Sequence, residues 1–146
     1  MPVKVNQLMR RGLIFVDAST PIRDAAKVMT NDKVGLLVVT NGGKMIGVVS
    51  ERDIMRAVAN GMNLSEPVER ITTRNVVTIT SGSTLYEAAE LMHRFNIRHL
   101  VVVDEVGNPI GVLSVRDVVA EPVRLRILAE HNSVSSVEEQ PIPHTD

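Results

Sequence analysis

Ten residues of this chain return almost unchanged in pattern 63 positions later: Thr20 to Met29 reappears as Ser83 to Met92, with the alanine pair Ala25-Ala26 falling on Ala88-Ala89. The correspondence continues. Leu37-Val38-Val39 matches Leu100-Val101-Val102, and the run from Ile46 to Asp53 matches Ile110 to Asp117, now displaced by 64, so one residue has been added between the second and third blocks. Internal repetition constrains a fold more than any local propensity, because each copy must take the same structure and the copies must bury complementary faces. With 146 residues in all, a unit of about 60 residues buries little surface alone. The two units are therefore expected to share one core.

Within each unit the hydrophobic periodicity changes once. Ile22, Ala25, Ala26 and Met29, like Leu85, Ala88, Ala89 and Met92, recur at i, i+3, i+4 and i+7 and predict one apolar stripe on a helix. Thr20 and Ser83 are the expected N-caps, with Pro21 at the first helical position. A β-branched run follows, Leu36 to Thr40 or Leu100 to Val103. Then come a Gly-containing turn and a second strand, Met45 to Val49 or Ile110 to Leu113. The chain enters another helix at Ser50 or Ser114, and short strands at Ile14 to Asp17 and Val76 to Thr80 precede the first helices. The predicted class is α/β, each unit reading strand, helix, strand, strand, helix, and the two pseudo-symmetric units packed sheet to sheet. The expected division is residues 1–62, 63–122 and a C-terminal helix with mobile tail at 123–146, Asn60 to Glu69 serving as linker.

Composition narrows the function. A formal charge of −1 and 2% aromatic residues argue against nucleic acid as partner. No apolar run approaches the roughly 18 residues of a membrane span, and the N-terminus lacks the apolar segment of a secretion signal, so a cytoplasmic protein is expected. There is no cysteine, hence no thiolate nucleophile or zinc-thiolate site. His93, His131 and His144 share no ligand spacing, so no metal is expected.

The motif Ser-x-x-Asp closes each unit, as Ser50 to Asp53 and Ser114 to Asp117. Two readings stand side by side. A Ser N-cap with an acidic residue three positions on is a helix-capping arrangement, and the same helix end is a place where a polar ligand can be held. Arg98 and His99, before the central strand of the second unit, read by residue type as a solvated strand entrance with Arg98 pairing to a nearby carboxylate. Their counterparts in the first unit are Gly35 and Leu36.

Gly47 to Asp53 and Gly111 to Asp117, together with Ile97-Arg98-His99-Leu100-Val101-Val102-Val103-Asp104, resemble the cystathionine β-synthase (CBS) domain, and two such units in tandem resemble a Bateman module. The resemblance covers about Val5 to Ala120. It implies clefts between the repeats that bind AMP, ADP or ATP, with S-adenosylmethionine or NAD(H) as other ligands, or a purely structural CBS pair with none. It also implies a homodimer and control of an associated enzyme or transporter rather than catalysis. By the family pattern one cleft combines Arg98, His99, Ser114, Arg116 and Asp117 with walls from Ile14, Val16, Val34, Gly35 and Leu36, the aspartate taking the ribose hydroxyls. A second, weaker cleft would use Ser50, Arg52, Asp53, Val77, Ile79 and Ile97, borrowing Arg98 if geometry permits.

Overall fold

The computed structural model describes residues 2–120. An N-terminal arm carries the one-turn helix α1 (Val5–Leu8) and strand β1 (Arg10–Arg11). The first half runs β2 (Phe15–Asp17), α2 (Ile22–Asp32), β3 (Leu36–Asn41), β4 (Lys44–Ser50) and α3 (Glu51–Ala59). After a 3-10 turn at Val68–Ile71, the second half runs β5 (Thr78–Thr80), α4 (Leu85–Phe95), β6 (His99–Val103) and β7 (Pro109–Ser114). Residues 115–120 begin helix α5. The expected C-terminal helix and tail lie outside the described residues.

Each half builds the same sheet: a parallel pair (β2 with β3, β5 with β6) and an antiparallel hairpin (β3 with β4, β6 with β7). Side chains alternate across a strand, and here both faces are covered. Leu37 and Val39 pack toward Ala25 and Met29 of α2, while Leu36 joins Val101 and Val103 of β6. Leu100 and Val102 pack toward Ala88 and Met92 of α4. The halves thus meet sheet to sheet, helices outside, and burial on both sides explains why the central strands are unbroken apolar runs. Each fully buried Val or Leu contributes roughly 1.5–3 kcal/mol.

The arms are exchanged. Val5 and Met9 of the N-terminal arm sit in the core of the second half, whereas Val68 sits in the core of the first. The backbone pairing repeats at the same displacement of 63: Val5 N–H donates to Ser83 O and Val68 N–H to Thr20 O, and Leu85 and Ile22 donate to Val3 O and Glu66 O. The stretch from Asn60 to Glu69 is therefore not a loose linker, and Val68 within it is fully buried. β1 lies along β7, and Thr73 lies against Val48 in the matching place. Gly47 and Gly111 permit these approaches. A Cβ on Gly47 would come 2.3 Å from Thr73 O, and one on Gly111 2.8 Å from Arg10 O.

The exchange also corrects the helix starts. Residues 20 and 83 are taken up in pairing with the arms, so α2 and α4 begin one residue later than expected. Their N-caps are Pro21, which has no capping side chain, and Thr84, whose hydroxyl accepts from Glu87 N–H. Both helices end in a left-handed residue, Lys33 (φ 55°) and Asn96 (φ 51°). Among the described residues no helix is long and apolar enough to cross a membrane.

Candidate functional site

Two clefts open between the halves, of about 510 Å³ and about 480 Å³. They are built by the same rule. The first combines Gly12 to Ile14 and Val34 to Leu36 of the first half with Ser114, Arg116 and Asp117 of the second. The other combines Asn75 to Val77 and Ile97 to His99 of the second half with Ser50, Arg52 and Asp53 of the first. Each serine-to-aspartate turn therefore faces the strand entrance of the opposite half.

The turns themselves are capping boxes. Ser114 donates to Asp117 Oδ2 through its backbone N–H (2.9 Å) and its hydroxyl (3.0 Å), and Asp117 N–H returns a 3.4 Å contact to Ser114 Oγ. Ser50 and Asp53 repeat the pattern at 2.8, 3.0 and 3.2 Å. In both turns Oδ2 is committed to the cap, which leaves Oδ1 to decide what else the carboxylate does. Asp53 Oδ1 is shared with Arg56 Nη1 at 3.4 Å. Asp117 Oδ1 has no hydrogen-bond partner among the described residues, and Asp117 lines an open cleft. Capping and ligand holding are thus compatible in one residue.

Of the residues expected in the Asp117 cleft, His99, Ser114, Arg116, Asp117, Ile14, Val34, Gly35 and Leu36 line it. Two do not. Arg98, in the bend before β6, lines the Asp53 cleft instead. Val16 is 8% exposed in the core of the first half. In the Asp53 cleft, Ser50, Arg52, Asp53, Val77 and Ile97 are present, whereas Ile79 is buried in the second core.

Among the described residues, each cleft carries three Arg or Lys side chains besides the shared His99. Arg10, Lys33 and Arg116 line one, and Arg52, Arg56 and Arg98 the other. The second cleft, to which the sequence gives Arg52 and, if geometry permits, Arg98, holds both and adds Arg56. Arg10 and Lys33 were not foreseen, nor were Glu51 and the apolar patch of Ala26, Met29 and Ile54. Part of the signal was available: Arg11 to Ile14 matches Arg74 to Val77 at the displacement of 63, so both segments belong to one repeated wall. Arg10 donates to the Lys33 carbonyl, and Arg52 to the matching Asn96 carbonyl. Arg116, the counterpart of Arg52, has no hydrogen bond among the described residues.

His99 is half-buried at the junction of the clefts. Burial holds its imidazole below the ordinary 6.5, against the upward pull of the Glu51 and Asp117 carboxylates, and Arg98 and Arg116 lower it further.

Residues 5–60 and 68–124 each match the CBS domain family. The structure resembles that of a CBS domain protein from Pyrobaculum aerophilum complexed with AMP (TM-score 0.76, 37% identity, covering 88% of this chain and 99% of that one). In sequence the chain is 31% identical over 118 residues to an uncharacterized 17.7 kDa protein of Acidianus ambivalens, covering 80% of this chain and 71% of the relative. It is 32% identical over 122 residues to the inosine-5'-monophosphate dehydrogenase of Nitrosopumilus maritimus, covering 79% of this chain. It spans only 25% of that enzyme's length.

Proposed function

Because the chain belongs to the CBS domain family, with two CBS domains in tandem, we propose that it is a regulatory module that binds an adenine nucleotide, AMP, ADP or ATP, in the clefts between its repeats. The observation that carries this reading is the divided aspartate: Asp117, which lines the cleft, spends Oδ2 on its own helix cap and leaves Oδ1 without a partner among the described residues. A carboxylate oxygen held in this way accepts from the vicinal hydroxyls of a ribose. Arg10, Lys33 and Arg116 supply cations for phosphate. Ile14, Val34 and Leu36 offer an aliphatic slot for a flat base. The AMP complex of the Pyrobaculum relative supports the same ligand class.

Binding rather than catalysis is supported by what the cleft holds. Ser114 bonds only to Asp117 among the described residues, and its cross-strand neighbour His99 makes no hydrogen bond to it, so no nucleophile and base are paired. Regulation follows if the nucleotide changes the pose of the two halves and a partner enzyme or transporter reads the change. A homodimer belongs to this reading, since Met55 and Val58 on α3 and Val119 on α5 are 70%, 57% and 59% exposed.

Calorimetric titration with AMP tests the assignment. Loss of a charge-assisted hydrogen bond is worth about 1.5–3 kcal/mol, so Asp117→Ala should weaken that cleft by roughly ten- to a hundredfold. An unchanged isotherm would remove Asp117 from the site. A thermal-shift panel of AMP, ADP, ATP, S-adenosylmethionine and NADH separates the nucleotide reading from its rivals, because a ligand of the folded state raises the melting temperature.

A further inference from the structure

Among the described residues, three line both clefts, namely Leu36, Glu51 and His99. They stand where the pseudo-symmetry of the two halves is weakest. His99 matches Leu36 and Arg98 matches Gly35, while Glu51 matches Val115, so the second half brings an imidazole to the junction and the first brings a carboxylate. Gly35 makes the room. A Cβ at that position would lie 2.9 Å from His99 Nε2 and 3.2 Å from Glu51 Oε1. The ring therefore crosses into the first half over a residue that has no side chain. It has no hydrogen-bond partner among the described residues. His99 is also the register partner of Ser114 across β6 and β7, which places it beside the polar end of the Asp117 cleft.

We propose that His99, with Glu51 behind it, couples the two clefts, an anionic ligand in either one drawing the imidazole toward its charged form and so favouring an anion in the other. The coupling rests on the nucleotide reading and adds to it a preference for ligands that carry phosphate. Charged groups reach His99 from each packed element: Glu51 from the start of α3, Asp117 and Arg116 from α5, Arg98 from the strand entrance. In the free protein the neutral ring is favoured, chiefly by burial. A phosphate adds negative charge and raises the pKa, so binding takes up a proton. The sign follows: affinity is greatest below the free-state pKa and declines as pH rises toward and through the bound-state value. Linkage makes the coupling reciprocal between the clefts.

The test is AMP titration at about pH 8 and about pH 6, bracketing the ordinary histidine range, of wild type, Asp53→Ala and Asp117→Ala, each with and without His99→Leu. Leucine is chosen because Leu36 fills the matching place. AMP phosphate itself titrates near pH 6, and the leucine series subtracts that contribution. The expected result is a gain in AMP affinity at low pH about fivefold or more above that of the His99→Leu series, with proton uptake above that baseline and a cooperative filling in wild type that His99→Leu lacks. The His99 imidazole NMR signals of the two aspartate variants, which keep one cleft each, should both move with AMP, a readout that does not depend on the leucine variant folding. Movement in only one of them, or cooperativity retained by His99→Leu, overturns the coupling and leaves the nucleotide reading standing. Absence of AMP binding in every form overturns both.

Discussion

One methyl group at Gly47 probes how tightly the exchanged arms are held. A Cβ there would lie 2.3 Å from the Thr73 carbonyl oxygen and 2.5 Å from Thr72 Cγ2, where real Cβ contacts essentially never fall under 3.0 Å. The nearest obstacle is backbone, and it is tied down. Val48 N–H donates to Thr73 O at 3.0 Å and Thr73 N–H to Val48 O at 2.8 Å, so the strip cannot retreat without stretching two hydrogen bonds. Overpacking costs about 1–3 kcal/mol, and each strained bond adds about 0.5–1.5 kcal/mol. The lower chain entropy of unfolded alanine returns about 0.4–1 kcal/mol. A net loss of about 3 kcal/mol lowers the melting temperature by roughly 10 °C in a domain of this size. At Gly111 the same change meets Arg10 O at 2.8 Å and Met9 Sδ at 3.0 Å, a smaller intrusion against a partly flexible neighbour. Its cost should be about 1 kcal/mol. Thermal melts followed by circular dichroism decide the matter. Since Thr73 and Asn75 to Val77 line the Asp53 cleft, Gly47→Ala should also weaken ligand there while sparing the Asp117 cleft. The reasoning fails if Gly47→Ala melts at or above wild type, or if Gly111→Ala is the more damaging.

Lys33 ends α2 at φ 55°, a conformation that the second half gives to Asn96. Lys33→Asn should stabilise the fold by about 0.5 kcal/mol, seen as a melting temperature raised by about 2 °C. Arg98→Ala should weaken AMP about tenfold at the Asp53 cleft, measured in the Asp117→Ala background, and leave affinity unchanged in the Asp53→Ala background. The opposite pattern would return Arg98 to the Asp117 side.

The repeat made the element order and both serine-to-aspartate turns legible, because Ile22, Ala25 and Met29 carry a helical period and Leu36 to Val39 a buried-strand run, each twice. What it left open was which cleft Arg98 serves. Arg98 and His99 are neighbours in sequence, yet Arg98 lines one cleft alone while His99 stands at the wall common to both. Val16 and Ile79 look like their lining neighbours but occupy the inward positions of β2 and β5. Arg10 and Lys33 lie outside the repeated motif blocks. Only the arm exchange and the left-handed helix end bring them to the Asp117 cleft, and neither leaves a local pattern.

The crossing of Val5 and Val68 into each other's half bears on how such a chain arises and how it fails. Cut between the halves, each fragment would keep an arm shaped for its absent sibling and lack the one its own sheet needs. Two copies of a single fragment could satisfy each other by trading arms, which is the arrangement expected of an unduplicated ancestor. In the tandem chain that trade is an intramolecular clasp, so the two halves should melt together as one cooperative unit.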